Sequence, residues 1–349
     1  MKIKIYDKIW SALTTLLSAG ESDFNKLEYK DILGRVGSAR FIMRLDSSKA
    51  TLVNLEHYNK IEITDDDDTV RWTGVITQKI ISLNTVLIRC KSLIYLLEKR
   101  VTNDNNVFNT QADTVITALL ANANAEEDTG IDLGTNDITT NVQLTFNRAS
   151  VLDAIKQVAS AVSGQFQINR SRKLQFTTTL GSDLSGSVAF NYDIALIAGA
   201  NIIRFNVLDD GLNIISKTFG KSGGNTSAQE DSGFKTSFGL HELFKNFREL
   251  DNQTTLDSVT ADKNAGAEYS PEITLKPDVS DNFEVGDIVA IKLINRLISI
   301  DANHQILEKV VEFKGGQKQI SIKVISNTSD FFKQLNDVKK DVELLSREV

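Results

Sequence analysis

The sequence predicts a mainly β protein with an α+β middle, in which two small β-barrel domains flank an α+β domain and a C-terminal coiled-coil helix follows. Three observations predict this fold class. Short runs of alternating apolar residues occupy both ends of the chain, helical spacing marks the middle, and a heptad pattern closes the sequence. The predicted domains are residues 1–100, 101–200, 201–327 (a barrel with a helical insertion) and 328–349.

The first barrel is predicted from strands separated by clusters of turn residues. In the run "TVRWTGVITQKIIS", Trp72, Gly74 and Ile76 lie on one face of a strand. A glycine inside a strand indicates a bulge or a sharp bend, which a small barrel needs in order to close. The adjacent carboxylates of residues 65–68 lack the alternation and the turn glycine of a calcium loop, so they favour a solvated hairpin tip.

The middle domain is predicted from two helices and a hairpin. Apolar residues have helical spacing in "NTQADTVITALLANAN" and in "NRASVLDAIKQVASAVSG", where Gly164 stands at a C-cap position. In the following "QFQINRSRKLQF", Phe166 and Ile168 alternate in the same way as Leu174 and Phe176 across a polar turn, which is typical of a β-hairpin.

The second barrel is predicted from strands that return near residue 200. The run "TTLDSVTADKNAGAEY" predicts a helical insertion, and "DIVAIKL", "LISI", "QILEKVVEF" and "QISIKVIS" predict the strands that come after it. The last two runs flank "KGGQ", in which Gly315 and Gly316 suit a hairpin turn with positive φ.

The final stretch, "SDFFKQLNDVKKDVELLSREV", has coiled-coil spacing. Its apolar residues recur at alternating steps of four and three, which places them on the a/d seam of a helix, and Ser329 and Asp330 supply N-cap oxygens before it. Leucine, valine and phenylalanine at these positions do not decide between a dimer and a trimer. The seam residues are Phe331, Leu335, Val338, Val342, Leu345 and Val349.

Composition and charge limit the function classes. A hydrophobic content of 41% supports real cores, and no run approaches the roughly 18 apolar residues of a membrane span. Charges interrupt the opening segment, so we interpret it as mature chain rather than a signal peptide. The net charge of −7 argues against sequence-specific nucleic-acid binding. Cys90 alternates with Val86 and Ile88, which predicts a buried strand residue and not a nucleophile.

The motifs predict no catalytic, cofactor-binding or metal-binding set. The "GKS" of residues 220–222 ends like a phosphate-binding loop, but Ile215 stands where that loop needs a glycine. "HELFK" begins like a zinc-protease helix, but Lys245 stands where the second zinc ligand would be. The three histidines are scattered along the sequence, so no metal site is expected.

Taken in order, these segments resemble the tail-hub (baseplate or tail-tip hub) proteins of tailed bacteriophages over almost the whole chain. That family carries a W-x-G-x-I strand and a closing "LL-x-x-R" segment in its first barrel. It has a helix-plus-hairpin like "NVQLTFNRASVLDAIKQVASAVSGQFQINRSRKLQF" in its middle domain. A turn like "FEVGD" enters its second barrel. The residues that carry the resemblance are Trp72, Gly74, Ile76, Leu96, Leu97, Arg100, Glu284, Gly286 and Asp287.

The resemblance implies a homotrimer in which two barrels per chain build a pseudo-six-fold ring. Such a ring joins the tail tube to other distal tail or baseplate proteins and to a spike or fibre, and it forms a channel for genome passage without specific DNA binding. The implied location is the virion tail, after assembly in the bacterial cytoplasm, and the heptad seam becomes a trimerisation seam. The acidic composition predicts a channel wall that repels phosphates.

Other functions stay open on the sequence alone. Contractile injection machines and phage-derived bacteriocins use related hubs. A receptor- or carbohydrate-binding tail-tip protein is an alternative, although aromatic residues make up only 7% of the chain. A cell-wall hydrolase would need a carboxylate pair or zinc ligands, and the adjacent Glu126 and Glu127 fit a solvated turn better than such a pair. The sequence therefore favours a structural hub over an enzyme.

Overall fold

The computed structural model describes residues 1–18, 23–104, 106–193, 200–210, 214–246, 253–261, 263–264 and 268–325. Strands dominate this part of the chain, and the prediction of a mainly β protein with an α+β middle is confirmed. The predicted coiled coil and its seam lie outside the described residues. The chain forms two compact units: one is Met1–Phe205 with the described residues from Glu272 onward, and the other is Asn206–Pro271.

The first barrel is built from antiparallel strands in the order β3-β4-β7-β6-β5-β1-β2. Its elements are β1 (Lys2–Tyr6), β2 (Ala12–Leu17), β3 (Phe24–Ile32), β4 (Ser38–Arg44), β5 (Lys60–Thr64), β6 (Val70–Ile81), β7 (Thr85–Ser92) and α1 (Ile94–Glu98). The amide of Asp23 donates a hydrogen bond to the carbonyl of Leu17 at 2.9 Å. This bond brings the end of β2 to the start of β3, as closure of a barrel requires.

Strand β6 contains the glycine that predicted a bulge or bend. The pairing is regular at Gly74, which lies opposite Ile61 on β5 and Ser92 on β7, and the register shifts fall on either side of it. A Cβ atom at Gly74 would lie 2.2 Å from the carbonyl oxygen of Lys91 and 2.3 Å from the ring of Trp72. The glycine is therefore needed for space, because the indole folds over it, and the bulges flank it.

The middle region packs two helices and small sheets around one core. Its elements are β8 (Asn106–Gln111), α2 (Ala112–Asn124), β9 (Asp132–Asn136), β10 (Asn141–Phe146), α3 (Val151–Ala161), β11 (Gln165–Ile168) and β12 (Lys173–Thr177). Leu119 on α2 and Ile155 on α3 are buried in the same apolar cluster, and the hydroxyl of Ser150 caps α3. The predicted hairpin is formed by β11 and β12, where Phe166 lies opposite Phe176.

The remaining elements form the second barrel and the smaller unit. They are β13 (Ala189–Asp193), β14 (Ile202–Asp210), β15 (Lys217–Ser222), β16 (Asn225–Glu230), α4 (Ser232–Phe238), β17 (Glu242–Asn246), α5 (Gln253–Ala261), β18 (Glu268–Leu275), β19 (Ile288–Ile294), β20 (Ser299–Lys314) and β21 (Gln317–Ile325). The barrel strands have the order β13-β19-β20-β21-β18-β14. The amide of Asn201 donates to the carbonyl of Asn191 at 3.2 Å and so links the start of β14 to β13.

The smaller unit is a three-stranded sheet of order β16-β15-β17, and α5 packs on β15 and β16. Helix α5 covers the first half of the predicted helical insertion and begins one residue before it, whereas the end of the predicted run belongs to β18. The domain boundaries stay predictions, and β13, which precedes residue 200, pairs in parallel with β19 of the second barrel. None of the described helices is long and apolar enough to cross a membrane.

The two barrels share one thirteen-stranded sheet, because β3 pairs with β20. The antiparallel register runs from Ile32 opposite Glu308 to Lys26 opposite Lys314. Ion pairs cross this joint on its outer face, from Lys30 to Glu308 at 2.6 Å and from Lys26 to Glu312 at 2.7 Å. Main-chain hydrogen bonds, rather than a flexible linker, thus fix one barrel to the other.

Replacing Gly74 with alanine is expected to destabilise the protein by about 3 kcal/mol or more, because the added methyl group overlaps a main-chain oxygen that cannot rotate away. Chemical denaturation would measure the loss. Gly186→Ala is the matched control, since a Cβ there meets nothing within 4 Å. Equal stability of the two variants would show that β6 does not need the space at Gly74.

Candidate functional site

The first barrel, the middle region and the second barrel meet around a cavity of about 320 Å³. Each of the three contributes side chains to its lining. The first barrel provides Asp31 at the end of β3 and Trp72 on β6, the β11–β12 turn provides Arg170, and the turn before β19 provides Glu284 and Asp287. The two motifs that the sequence singled out, in separate barrels, therefore face one site.

The first-barrel motif forms one wall of this site. Trp72 is buried with 2% of its surface exposed, and Ile76, further along the same strand, is fully buried. The main chain of Ile76 accepts a hydrogen bond from the amide of Tyr58 at 2.8 Å and donates one to the carbonyl of Asn59 at 2.9 Å. This exchange extends the pairing of β6 past the end of β5 and keeps the wall rigid.

The second motif holds two turns together. Gly286 has φ +99°, and Gly181, with φ +83°, packs so closely that a Cβ on it would lie 2.3 Å from the main chain of Gly286. The carboxylate of Asp287 accepts hydrogen bonds from the amides of Ser182 and Glu284, both at 2.7 Å. The predicted motif residues Gly286 and Asp287 thus act as a clamp between the middle region and the second barrel.

A pair of buried glutamines reinforces this clamp. Gln165 on β11 and Gln305 on β20 exchange amide hydrogen bonds at 2.9 and 3.0 Å. The Gln165 oxygen also accepts from the amide of Leu180 at 2.8 Å, and the Gln305 nitrogen lies 2.9 Å from the carbonyl of Gly286. The two side chains therefore satisfy each other together with buried main-chain groups of Leu180 and Gly286, which makes the pair specific for this arrangement.

A buried ion network lies beneath the joint between the barrels. The ammonium group of Lys309 on β20 pairs with Asp281, donates to the carbonyl of Phe283 at 2.6 Å, and lies 4.7 Å from the centre of that phenyl ring. Lys318 on β21 pairs with the same carboxylate, and Arg71 on β6 donates to the Asp281 carbonyl at 2.8 Å. Although burial opposes ionisation, the two lysines hold the pKa of Asp281 below its usual value.

The cavity also contains two ionisable groups, on Asp31 and Arg170, whose charged forms are disfavoured by burial. Burial raises the pKa of Asp31 to about 7, despite the opposing attraction of Lys309 and Arg170. Arg170 pairs with Glu284 across the cavity, and burial lowers the pKa of its guanidinium group. The joint therefore contains a carboxyl group that changes charge near neutral pH.

The motifs rejected as chemistry lie in ordinary structure. Residues 220–222 belong to β15 and not to a phosphate-binding loop. His241 directly precedes β17 and Glu242 is its first residue, so this segment is a strand and not a helix. Cys90 is buried in β7, as expected. Among the described residues, no group of three or more histidine, cysteine, aspartate or glutamate side chains could hold a metal ion.

Sequence reasoning did not identify Asp31, Arg170, Asp281 or Lys309. One signal for Lys309 was available: it alternates with Val311 and Phe313 and therefore lies on the inward face of its strand, where a lysine is unusual. Its acidic partner comes from an irregular segment, so no period could have shown the pair. The predicted seam residues from Phe331 to Val349 lie outside the part of the chain that the structure describes.

The fold is that of known phage tail proteins. A 43 kDa tail protein of prophage MuSo2 from Shewanella oneidensis aligns with TM-score 0.71 and 12% identity, covering 94% of this chain and 99% of that chain. A tail protein from Neisseria meningitidis MC58 aligns with TM-score 0.69 and 14% identity, covering 94% and 98%. A prophage tail protein from Listeria monocytogenes EGD-e aligns with TM-score 0.60 and 14% identity, covering 97% and 100%.

These likenesses confirm, at the level of fold, the resemblance inferred from the order of the motifs. They extend over nearly the full length of each protein, so the likeness covers the two barrels and the middle region together. No protein-family model matches the chain, and no curated protein matches it. The structural alignments establish the shared architecture, but identities of 12–14% are too low for the roles of individual residues to be transferred.

Replacing Gln305 with alanine is expected to cost about 2–4 kcal/mol of unfolding free energy, because Gln165 and the carbonyl of Gly286 lose buried partners. Denaturant unfolding would measure this cost. Gln319→Ala on the exposed face of β21 is the control and is expected to change stability by less than about 0.5 kcal/mol. A double-mutant cycle with Gln165→Ala should give a clear coupling energy; additive effects would contradict the paired arrangement.

The charge of Asp31 is expected to make stability depend on pH. Its folded pKa of about 7 lies above the value near 4 in an unfolded chain, so the folded state binds more protons between these pH values. The contribution of Asp31 to unfolding free energy is therefore largest below pH about 4 and falls as pH rises to 7. Relative to the unmodified chain, the unfolding free energy of Asp31→Asn should therefore rise by about 2 kcal/mol between pH 4 and pH 7, allowing for partial solvent screening.

Denaturant unfolding at half-unit steps from pH 4 to 8 would measure the difference between Asp31→Asn and the unmodified chain. Asp132→Asn, which changes an exposed carboxylate, is the control. A constant difference across the whole range would mean that Asp31 is ionised throughout and that the joint tolerates its charge.

Proposed function

We propose that this protein is a structural hub of a phage tail or a phage-like injection apparatus, acting as a homotrimer whose six barrels form a ring. The observation that carries the proposal is the repetition of one strand framework in both barrels. Val75 on β6 lies opposite Lys60 on β5, and Gln305 on β20 lies opposite Ile288 on β19. A chain with two equivalent barrels turns three copies into six similar positions.

The repetition extends to individual hydrogen bonds. The amide of Gly286 donates to the carbonyl of Ile306 at 2.8 Å, as the amide of Tyr58 does to the carbonyl of Ile76. Directly beyond these positions, both long strands shift register, between Ile76 and Gln78 in β6 and between Ile306 and Glu308 in β20. Such agreement supports two copies of one structural unit, which the dissimilar sequences of the barrels conceal.

In this proposal, the ring joins the tail tube to distal tail or baseplate proteins and to a spike or fibre at the tip. DNA passes through its channel without specific binding, and the excess of carboxylates over basic groups, with a net charge of −7, favours such passage. The role is structural and not enzymatic, and it places the protein in the virion tail after assembly in the bacterial cytoplasm.

Light scattering on the purified chain tests the oligomeric state. We expect a trimer for the full sequence. A trimer that persists in a chain ending at residue 328 would show that the barrels supply most of the association. A trimer lost on this truncation would make residues 328–349, with their predicted seam, the main clamp. A monomer at every concentration for the full chain would contradict the hub.

A further inference from the structure

The joint between the barrels shows how a strand edge is covered in this fold. Along one edge, β20 uses residues Ser299–Gln305 to pair with β19 and residues Glu308–Lys314 to pair with β3. Its second half therefore extends beyond its own barrel and adds to the edge of the other barrel. The main-chain donors and acceptors of both strands are satisfied by this addition.

Strand β6 is the counterpart of β20, but within the described part of the chain its second half has a neighbour on one edge only. It pairs with β5 as far as Val75, and β7 lies along its other edge. Among the described residues, no strand pairs with residues 78–81 on the edge that corresponds to the one where β20 carries β3. We call residues 78–81 the free half of β6.

The surface around the free half of β6 is apolar. Ile81 is 67% exposed, and Leu83 in the turn that follows is 92% exposed. Leu45 is also exposed and is held beside this turn, because its amide donates to the carbonyl of Asn84 at 3.0 Å. Exposed main-chain edges flanked by large apolar side chains are typical of strands that pair with another chain.

The corresponding acceptor edge is that of β14. In the first barrel, β4 lies between β7 and β3, and in the second barrel β18 lies between β21 and β14. Strand β14 thus occupies the position in the second barrel that β3 occupies in the first. Beyond the hydrogen bond that links Asn201, just before β14, to β13, no described strand pairs with its outer edge, and Ile203 and Leu208 on this strand are exposed.

We infer that the free half of β6 in one copy of the chain adds as a strand to the outer edge of β14 in a second copy. Each copy then offers one donor strand and one acceptor edge, so the contact is heterologous and closes into a ring when the rotation allows. The inference rests on the proposed hub and names the surfaces through which its copies associate. Inside one chain, the pairing of β20 with β3 is the equivalent contact.

Charged substitutions in the free half test this contact by light scattering. Ile81→Asp combined with Leu83→Asp is expected to convert the trimer largely to monomer, because buried carboxylates would oppose strand addition. Both side chains are exposed, so the fold should persist, and thermal unfolding of the monomer would verify this. Leu297→Asp is the matched control, because Leu297 is 96% exposed in the turn between β19 and β20 and should leave the trimer intact.

Cross-linking tests the pairing directly. Chains carrying Ile81→Cys and chains carrying Leu208→Cys are co-expressed, so that both enter the same rings, and the mixture is treated with a short bis-maleimide. Cross-linked dimers are expected in the mixture and not in either protein alone. Burial raises the pKa of the Cys90 thiol, which keeps the native cysteine unreactive.

The outcomes separate this inference from the proposed function. A trimer that survives both aspartates and gives no mixed cross-link would overturn the β6–β14 contact and leave the hub standing. A monomeric unmodified chain would overturn both.

Discussion

The antiparallel pairing of β3 with β20 is the constraint on which the rest of the larger unit depends. Through it, two barrels that are distant in sequence become one sheet with a single register. Tyr29 and Val311 lie opposite each other at the centre of the joint, and both are buried. Because a one-residue slip would turn these side chains outward, the pairing also fixes the relative rotation of the barrels.

Joining two barrels in this way places charge in the interior. Strand β20 passes from one barrel to the other, and Lys309 lies at the crossing with 2% of its surface exposed. A lone ammonium group there would be strongly destabilising, so Asp281 pairs with it and Lys318 balances the carboxylate from the other side. The buried charges are a consequence of the joint and specify one arrangement of it.

The middle region contacts both barrels and is not a separate module. Its hairpin turn places Arg170 in the cavity, and Gln165 at the start of the hairpin bonds to Gln305 in the second barrel. The same cavity is closed by Trp72 of the first barrel. Rigid contacts on three sides suit a protein that transmits position rather than chemistry, as the proposed hub requires.

The sequence predicted the local features of this architecture well, for identifiable reasons. Period-two alternation located β6, β19 and β21, helical spacing located α2 and α3, and the paired glycines located the turn at Gly315 and Gly316. The two runs predicted as separate strands, "LISI" and "QILEKVVEF", are parts of the single strand β20. Each of these signals comes from neighbours within one element. The sequence predicted a bulge or a sharp bend at Gly74, whereas the bulges of β6 lie on either side of this residue. A glycine within a strand shows that a residue without a side chain is needed, but it does not show whether space or curvature is the reason.

By itself, the sequence determined the fold class and located the two motifs at Trp72 and Asp287, because hydrophobic period and turn chemistry are local. Only the tertiary structure decided that these motifs share one cavity and that Lys309 pairs with Asp281. It also decided that the second half of β20 pairs with β3, while no strand that the structure describes covers the corresponding edge of the free half of β6. Strand partners separated by hundreds of residues are chosen by edge complementarity across the folded chain, and that leaves no periodic trace in the sequence.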